Sequence, residues 1–117
     1  REQELSVAVC AYPIDIHDPA GAKLNCGRKE KGCYDIPYGV MVSDKISNLL
    51  ITGRCISATH EAIASARITA TAMALGQAAG MAAAVSVKEN KAVQKIDVNK
   101  LQRLLWESGA IPGKKWL

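Results

Sequence analysis

The sequence predicts an α/β fold, and three patterns carry that prediction. Apolar runs with β-branched residues, at 5–12 and 34–42, are typical of strands. An alanine-rich stretch at 60–88 is typical of a helix, because alanine is the best helix former. A third apolar run, at 48–52, ends at Gly53 ahead of that helix and has the pattern of a buried parallel strand with a tight turn at its end.

Composition suits a single packed domain. The chain has 117 residues, of which 49% are hydrophobic, and it has no Phe, so small aliphatic side chains must fill the core. The net charge of +4 comes mostly from 28–31 and 114–115, which we interpret as a solvated loop and a solvated tail. No basic helix face interleaved with aromatic residues is present, so nucleic-acid binding is not expected.

The spacing of the four cysteines matches neither a metal site nor a CxxC redox pair. They are Cys10, Cys26, Cys33 and Cys55. We expect no metal, and we expect buried free thiols in a reducing compartment, in agreement with a cytoplasmic location. A disulfide between Cys26 and Cys33 stays open, because the two can be neighbours in a loop. The first residues look like neither a signal peptide nor a transit peptide.

Two further segments have readable patterns. Residues 14–17 alternate apolar and polar, which places Asp15 and His17 on one face of an extended segment. Residues 97–108 are predicted to form a second helix, with Asp97 as its N-cap and Gly109 as its stop.

The long helix has two interpretations. Residues 68–87 contain no charge, and Gly76 and Gly80 lie four apart on one face, as in a membrane span that pairs with another helix. Alanine, however, contributes little to membrane insertion, and Gln77 lies near the middle. We therefore prefer a soluble helix that packs closely through its small residues, with a membrane-anchored or helix-pairing module as the alternative.

The start of the long helix is a candidate site for negative charge. Arg67, Thr69 and Thr71 cluster there, near the turn at Gly53. Free backbone N–H groups and the positive end of the helix dipole favour anions. On this local pattern alone, an ordinary strand–helix connection is the better interpretation.

A longer motif resembles a known family. Residues 48–62 (NLLITGRCISATHEA) and 74–80 (ALGQAAG) resemble the carboxyl-terminal signature of a family of bacterial FAD-dependent oxidoreductases. This family is distantly related to the fumarate reductase and succinate dehydrogenase flavoproteins. The segments YPIDIHD at 12–18 and IPY at 36–38 are similar to its substrate-side region.

The resemblance implies two parts in the chain. Residues 1–47 would be the end of a β-rich substrate or capping region. Residues 48–117 would be the last strand and helices of a Rossmann-like FAD-binding domain of the glutathione-reductase type. None of the nine glycines forms the GxGxxG turn that cradles the pyrophosphate. We therefore expect a carboxyl-terminal fragment that needs its amino-terminal remainder as partner, binds FAD weakly when alone, does not turn over and tends to self-associate.

The resemblance also implies FAD as cofactor and hydride transfer between a small-molecule substrate and flavin N5. The amides of Ile68 and Thr69 would face the pyrimidine end of the flavin. Many relatives carry an acid where Arg54 stands, so a ribityl contact is not transferred to that side chain. The cofactor-binding candidates lie at the strand end or at the helix start: Gly53, Arg54, Arg67, Ile68, Thr69 and Thr71.

Four polar side chains are candidates for catalysis: Asp15, His17, His60 and Arg67. Either histidine can exchange a proton with a substrate oxygen, and Arg67 can neutralise a substrate carboxylate or the reduced flavin. Each also has a purely structural interpretation, such as a mutual bond between Asp15 and His17. A subunit that completes a redox site with a partner chain is the remaining hypothesis. We expect neither a nucleic-acid nor a membrane partner.

Overall fold

The computed structural model describes residues 3–16, 25–26 and 32–117, and its mixture of strands and helices agrees with the predicted α/β class. The strands are β1 (Ser6–Cys10), β2 (Asp15–Ile16), β3 (Asn25–Cys26) and β4 (Tyr34–Pro37), and the helices are α1 (His60–Ala66), α2 (Thr69–Glu89) and α3 (Val98–Glu107). β1 pairs antiparallel with β4, with an irregular register between Ser6 and Ala8, and β2 pairs antiparallel with β3.

The predicted parallel strand at 48–52 is wrong. Leu50 makes a single antiparallel bridge with Val42, and Leu49 is exposed. Within the described ranges both sheets are antiparallel and two-stranded, so this apolar run has no parallel neighbour to join. The tight turn at Gly53 does form, because this residue has a φ of +66°, which glycine adopts without strain.

The predicted helix at 60–88 is two helices. Arg67 and Ile68 separate α1 from α2. The hydroxyl of Thr59 caps α1 by accepting a 3.3 Å hydrogen bond from the Ala62 N–H. At its other end, α2 stops at Asn90, which takes up the left-handed conformation. The helix that bears the candidate anion site therefore begins at a distinct corner of the chain.

The second predicted helix is confirmed as α3. The Asp97 carboxylate accepts hydrogen bonds from the N–H groups of Asn99 (2.9 Å) and Lys100 (3.3 Å). Gly109 follows the helix with a φ of +84°, as expected of a carboxyl-terminal stop.

One hydrophobic core joins β1, β4, α2 and α3. Its fully buried side chains include Met41, Leu75, Leu101 and Leu105. The core thus takes residues from both sides of position 47/48, and the division of the chain at that point stays a prediction.

The two faces of α2 differ sharply. Leu75, Ala78 and Ala82 are buried on the side that packs against β1 and α3. Met73 and Val87 are exposed on the opposite side, which is uncharged up to Lys88 in the last turn. In the described part of the chain, α2 is the one helix long and apolar enough to cross a membrane, and 28% of its most apolar window is buried. The helix is therefore not buried on most sides, and the choice between the soluble and the membrane-anchored interpretation stays a prediction.

The cysteines and the tail depart in part from expectation. Cys10 is a buried free thiol as predicted, whereas Cys55 is free but exposed, and Cys33 is free. The tail is anchored to the domain, because Gly113 is buried and the Lys114 N–H donates to Asp35, while the Lys115 side chain is exposed, as expected of a solvated tail. The side chain of Cys26 and the basic residues at 28–31 lie outside the described residues.

Candidate functional site

The corner between α1 and α2 is the centre of the candidate site. The Arg67 N–H donates to the carbonyl of Ile63 at 3.0 Å, so Arg67 closes α1. The Arg67 carbonyl in turn accepts from Nε of Arg54 at 3.4 Å. The Gly53–Cys55 turn, which also packs against α2, is thereby fixed beside the start of that helix.

A cavity of about 440 Å³ opens at this corner, and we call it the junction cavity. It is lined by Arg54, Arg67, Ile68 and Thr69. Ile68 is the N-cap of α2 and offers no side-chain acceptor, so the first amides of the helix keep their capacity to bind a ligand. Two guanidinium groups and a helix N-terminus make the cavity electropositive, which suits an anionic group.

A smaller cavity of about 170 Å³ also opens beside Arg67, and we call it the side cavity. Its polar lining is Asp15, His60 and Arg67, and its apolar lining comes from Ile16 and from α1. Arg67 is the residue that lines both cavities.

The Arg67 guanidinium is held in place by Asp15. Its Nη2 donates to the Asp15 carbonyl at 3.2 Å and lies 3.8 Å from the Asp15 carboxylate. The Arg67 side chain is 42% exposed, so this ion pair adds little stability. Its consequence is positional, since it keeps a cation between the two cavities.

The structure therefore brings together three of the four predicted catalytic residues. Asp15, His60 and Arg67 line the side cavity, with His60 exposed at the first position of α1. His17 lies outside the described residues. No catalytic role is tested by this placement, and the roles stay predictions.

Five of the six predicted cofactor-binding residues lie at or beside the junction cavity, and the side chain of the sixth does not. Four of them line the junction cavity: Arg54, Arg67, Ile68 and Thr69. Gly53 forms the turn just before that lining. Thr71 is buried on the inner side of α2. Only the backbone of Thr71 is thus available to a ligand at the helix start.

A buried hydrogen-bond network beneath the corner was not predicted. Ser65 Oγ accepts from the Tyr34 hydroxyl at 2.7 Å and donates to the Tyr12 carbonyl at 2.5 Å. The Cys10 thiol lies 3.7 Å from the same Oγ. Burial acts to raise the pKa of the Cys10 thiol, but hydrogen bonds from Thr71, Tyr34, Tyr12 and Ser65 outweigh it and leave that pKa below its usual range.

This network joins β1, β4 and α1. Its members are far apart in the chain, with 55 positions between Cys10 and Ser65. No local sequence pattern indicates such a cluster, and only the fold brings it together. It fixes Ser65, two residues before Arg67, and with it the end of α1 at the corner.

A mainly apolar cavity of about 410 Å³ lies along β4 and was not predicted either. Its lining includes Tyr34 and Pro37 from β4, Ile56 from the segment after the Gly53–Cys55 turn, and Ala62 and Ala66 from α1.

The whole sequence was compared with known proteins. Residues 1–105 match the family described as FAD dependent oxidoreductase. The chain belongs to this family. The match covers every residue of the junction and side cavities, and it supports an oxidoreductase that uses FAD. No curated protein and no solved structure matches the chain.

Proposed function

We propose that the chain supplies one end of the flavin site and the substrate-side polar groups of an FAD-dependent oxidoreductase that transfers hydride between a small molecule and the flavin. The observation that carries this proposal is the position of Arg67. It lies between an electropositive cavity at the start of α2 and a second cavity that holds Asp15 and His60.

The junction cavity fits the pyrimidine end of a flavin. FAD supplies two-electron hydride chemistry when it is bound, and its ring system becomes anionic on reduction. The backbone amides of Ile68 and Thr69 and the Arg67 guanidinium would hold that end. Preorganised donors of this kind stabilise developing negative charge, as an oxyanion hole does.

The side cavity fits a small substrate with one polar end. Ile16 and Ile63 offer apolar contact, while His60 can give a proton to a substrate oxygen or take one from it. Asp15 holds the Arg67 guanidinium, so that this cation can orient a substrate carboxylate.

The rest of the FAD cradle belongs, in this proposal, to an amino-terminal remainder of a bacterial enzyme distantly related to the fumarate reductase flavoproteins. Support comes from the glycines, none of which forms a GxGxxG turn. The uncharged, exposed side of α2 is a surface that such a remainder would cover. The chain by itself then binds FAD weakly and does not turn over.

The test is to map FAD binding on the chain by two-dimensional amide NMR, which detects weak complexes. We expect shifts to concentrate at Arg54, at 67–70 and at His60. The proposal is overturned if saturating FAD causes no shifts, or causes them only elsewhere. A tight, stoichiometric yellow complex of this chain alone would contradict the proposal that the cradle is incomplete.

Two variants separate a specific site from general attraction of an anionic dinucleotide. Arg67→Gln removes the cation between the cavities and should weaken FAD binding about tenfold, because a charged hydrogen bond contributes roughly 1.5–3 kcal/mol. Arg103→Gln makes the same charge change on the exposed side of α3 and should leave the affinity unchanged. Equal losses in both variants would indicate nonspecific binding.

A further inference from the structure

The carboxyl-terminal segment carries a surface that the flavin site does not use. The family match ends at residue 105, and the segment after it folds back onto the domain. Trp106 and Trp116 pack together with ring centroids 5.5 Å apart, and the Lys115 ammonium lies 5.8 Å from the Trp116 ring. Arg103 is exposed one helical turn before Trp106. We call Arg103, Trp106, Lys115 and Trp116 the aromatic–basic patch.

The patch is held in a fixed position. The Lys114 backbone N–H donates to a carboxylate oxygen of Asp35 at 2.6 Å, and the Trp116 backbone N–H donates to the Gly113 carbonyl at 3.0 Å. Gly113 packs so closely on Ser6 that a Cβ at this position would lie 2.2 Å from the Ser6 hydroxyl oxygen. These contacts fix the backbone at 113–116, and with it the position of Trp116 beside Trp106.

The exposed composition of this region is unusual for a soluble surface. Trp106 is 47% exposed, Ile111 44% and Leu117 74%. Trp106 packs on Trp116 and the Lys115 ammonium lies beside the Trp116 ring, so an exposed apolar side chain and a cation occupy one surface. Glu107 is an exposed acid on the same stretch, so the cations outnumber it.

We propose that the aromatic–basic patch docks the protein on an anionic lipid surface. Tryptophan rings prefer the headgroup level of a bilayer. The exposed Trp106 ring can make this contact, whereas the Trp116 indole N–H is buried and the half-exposed Trp116 ring supports Trp106 from behind. Arg103 and Lys115 match the negative potential of anionic headgroups. An acidic protein would satisfy the same cations, but it offers less to the exposed Ile111 and Leu117 than the acyl boundary does.

Intrinsic fluorescence tests the proposal directly, because Trp106 and Trp116 are the two tryptophans of the chain. With vesicles of phosphatidylglycerol and phosphatidylcholine we expect a blue shift of the emission and co-sedimentation, both reversed by high salt. The proposal is overturned if these vesicles have no effect, if phosphatidylcholine alone binds equally well, or if polyglutamate shifts the emission while vesicles do not. The last result would assign the patch to an acidic protein.

Matched variants locate the contact. Lys115→Glu should weaken vesicle binding about tenfold, since each cation near an anionic surface contributes roughly fivefold. Lys88→Glu makes the same charge change on exposed α2 and should have no effect. Equal weakening by both variants, or loss of binding in Val87→Ser on α2, would refute the assignment to this patch. None of these measurements involves flavin, so their outcome leaves the proposed function untouched.

Discussion

Ser65 is the buried side chain on which the geometry of the α1–α2 corner depends. Its hydroxyl serves Tyr34 and the Tyr12 carbonyl at once, and it lies two residues before Arg67. Hydroxyl groups that satisfy two buried partners fix the relative positions of the elements that carry them. The hydrogen bonds of Ser65 therefore help to fix the backbone that carries the Arg67 cation.

Replacing Ser65 with Ala should lower the free energy of unfolding by about 1–3 kcal/mol, because it leaves buried polar groups without a partner. Urea denaturation monitored by circular dichroism measures this change. Ser57→Ala, at an exposed position, is the matched control and should stay within about 0.5 kcal/mol of the parent chain. Equal stability of the two variants would show that the network does not support the corner.

Residue chemistry near a helix start could be predicted from the sequence, but contacts across the fold could not. Arg67 and Thr69 were identified because their position relative to a helix is a local property. The burial of the Thr71 side chain could not be predicted in this way, because it depends on how α2 packs against the distant strand β1. His17 lies outside the described residues, so both its catalytic role and its structural alternative, a mutual bond with Asp15, stay predictions.

At the scale of elements, α2 presents small residues to solvent. Gly76 and Gly80 are exposed, and a Cβ built on either meets no atom within 4 Å in the described structure. The close packing that these glycines predict thus does not occur against the described residues of this chain. They remain available to a surface outside it, which agrees with the proposed amino-terminal remainder.

Alanine at both glycine positions should therefore stabilise the isolated chain. Each substitution removes backbone freedom of the unfolded state and adds helix propensity, for a gain of up to about 1 kcal/mol. Thermal unfolding of Gly76→Ala and Gly80→Ala measures the gain. A loss of stability that depends on protein concentration would instead show that copies of the chain associate through this side of α2.

Helices were more predictable than strands in this chain, for a physical reason. The capping residues Asp97 and Gly109 act locally, so the ends of α3 follow from nearby sequence. A strand needs a neighbour to hydrogen-bond with, and 48–52 finds only a single bridge partner in the described part of the chain. Its apolar character is that of a parallel strand, but the neighbours such a strand requires are not in the described residues.

At the scale of the whole molecule, Tyr38 connects the two sides of the core. It is 5% exposed, and its hydroxyl donates to the Val93 carbonyl at 2.8 Å. Burial raises the pKa of Tyr38 to about 12. The folded state thus disfavours the ionised phenol, whereas the unfolded chain ionises near the ordinary tyrosine pKa of about 10.

The sign of the resulting pH dependence follows from that shift. The contribution of the protonated Tyr38 hydroxyl to the free energy of unfolding is fully present below about pH 10. It is lost as the pH rises towards 12, at roughly 1.4 kcal/mol per pH unit. Urea denaturation between these values should show the loss in the parent chain and in Tyr12→Phe, whose ring is exposed. Tyr38→Phe should abolish the part of this fall in the free energy of unfolding that comes from ionisation of Tyr38. If the free energy of unfolding of Tyr38→Phe falls as steeply with pH as that of the parent chain, the role of Tyr38 is contradicted.

In the proposed function, the α2 N-terminus and Arg67 favour negative charge on a bound flavin. The most direct measurement compares the affinity of the chain for oxidised and for chemically reduced FAD, under anaerobic conditions and by the same NMR titration. The account predicts that reduced FAD binds more tightly by about fivefold, the scale of a charge at a helix N-terminus, and that Arg67→Gln narrows this difference while Arg103→Gln does not. Equal or weaker binding of reduced FAD would contradict it.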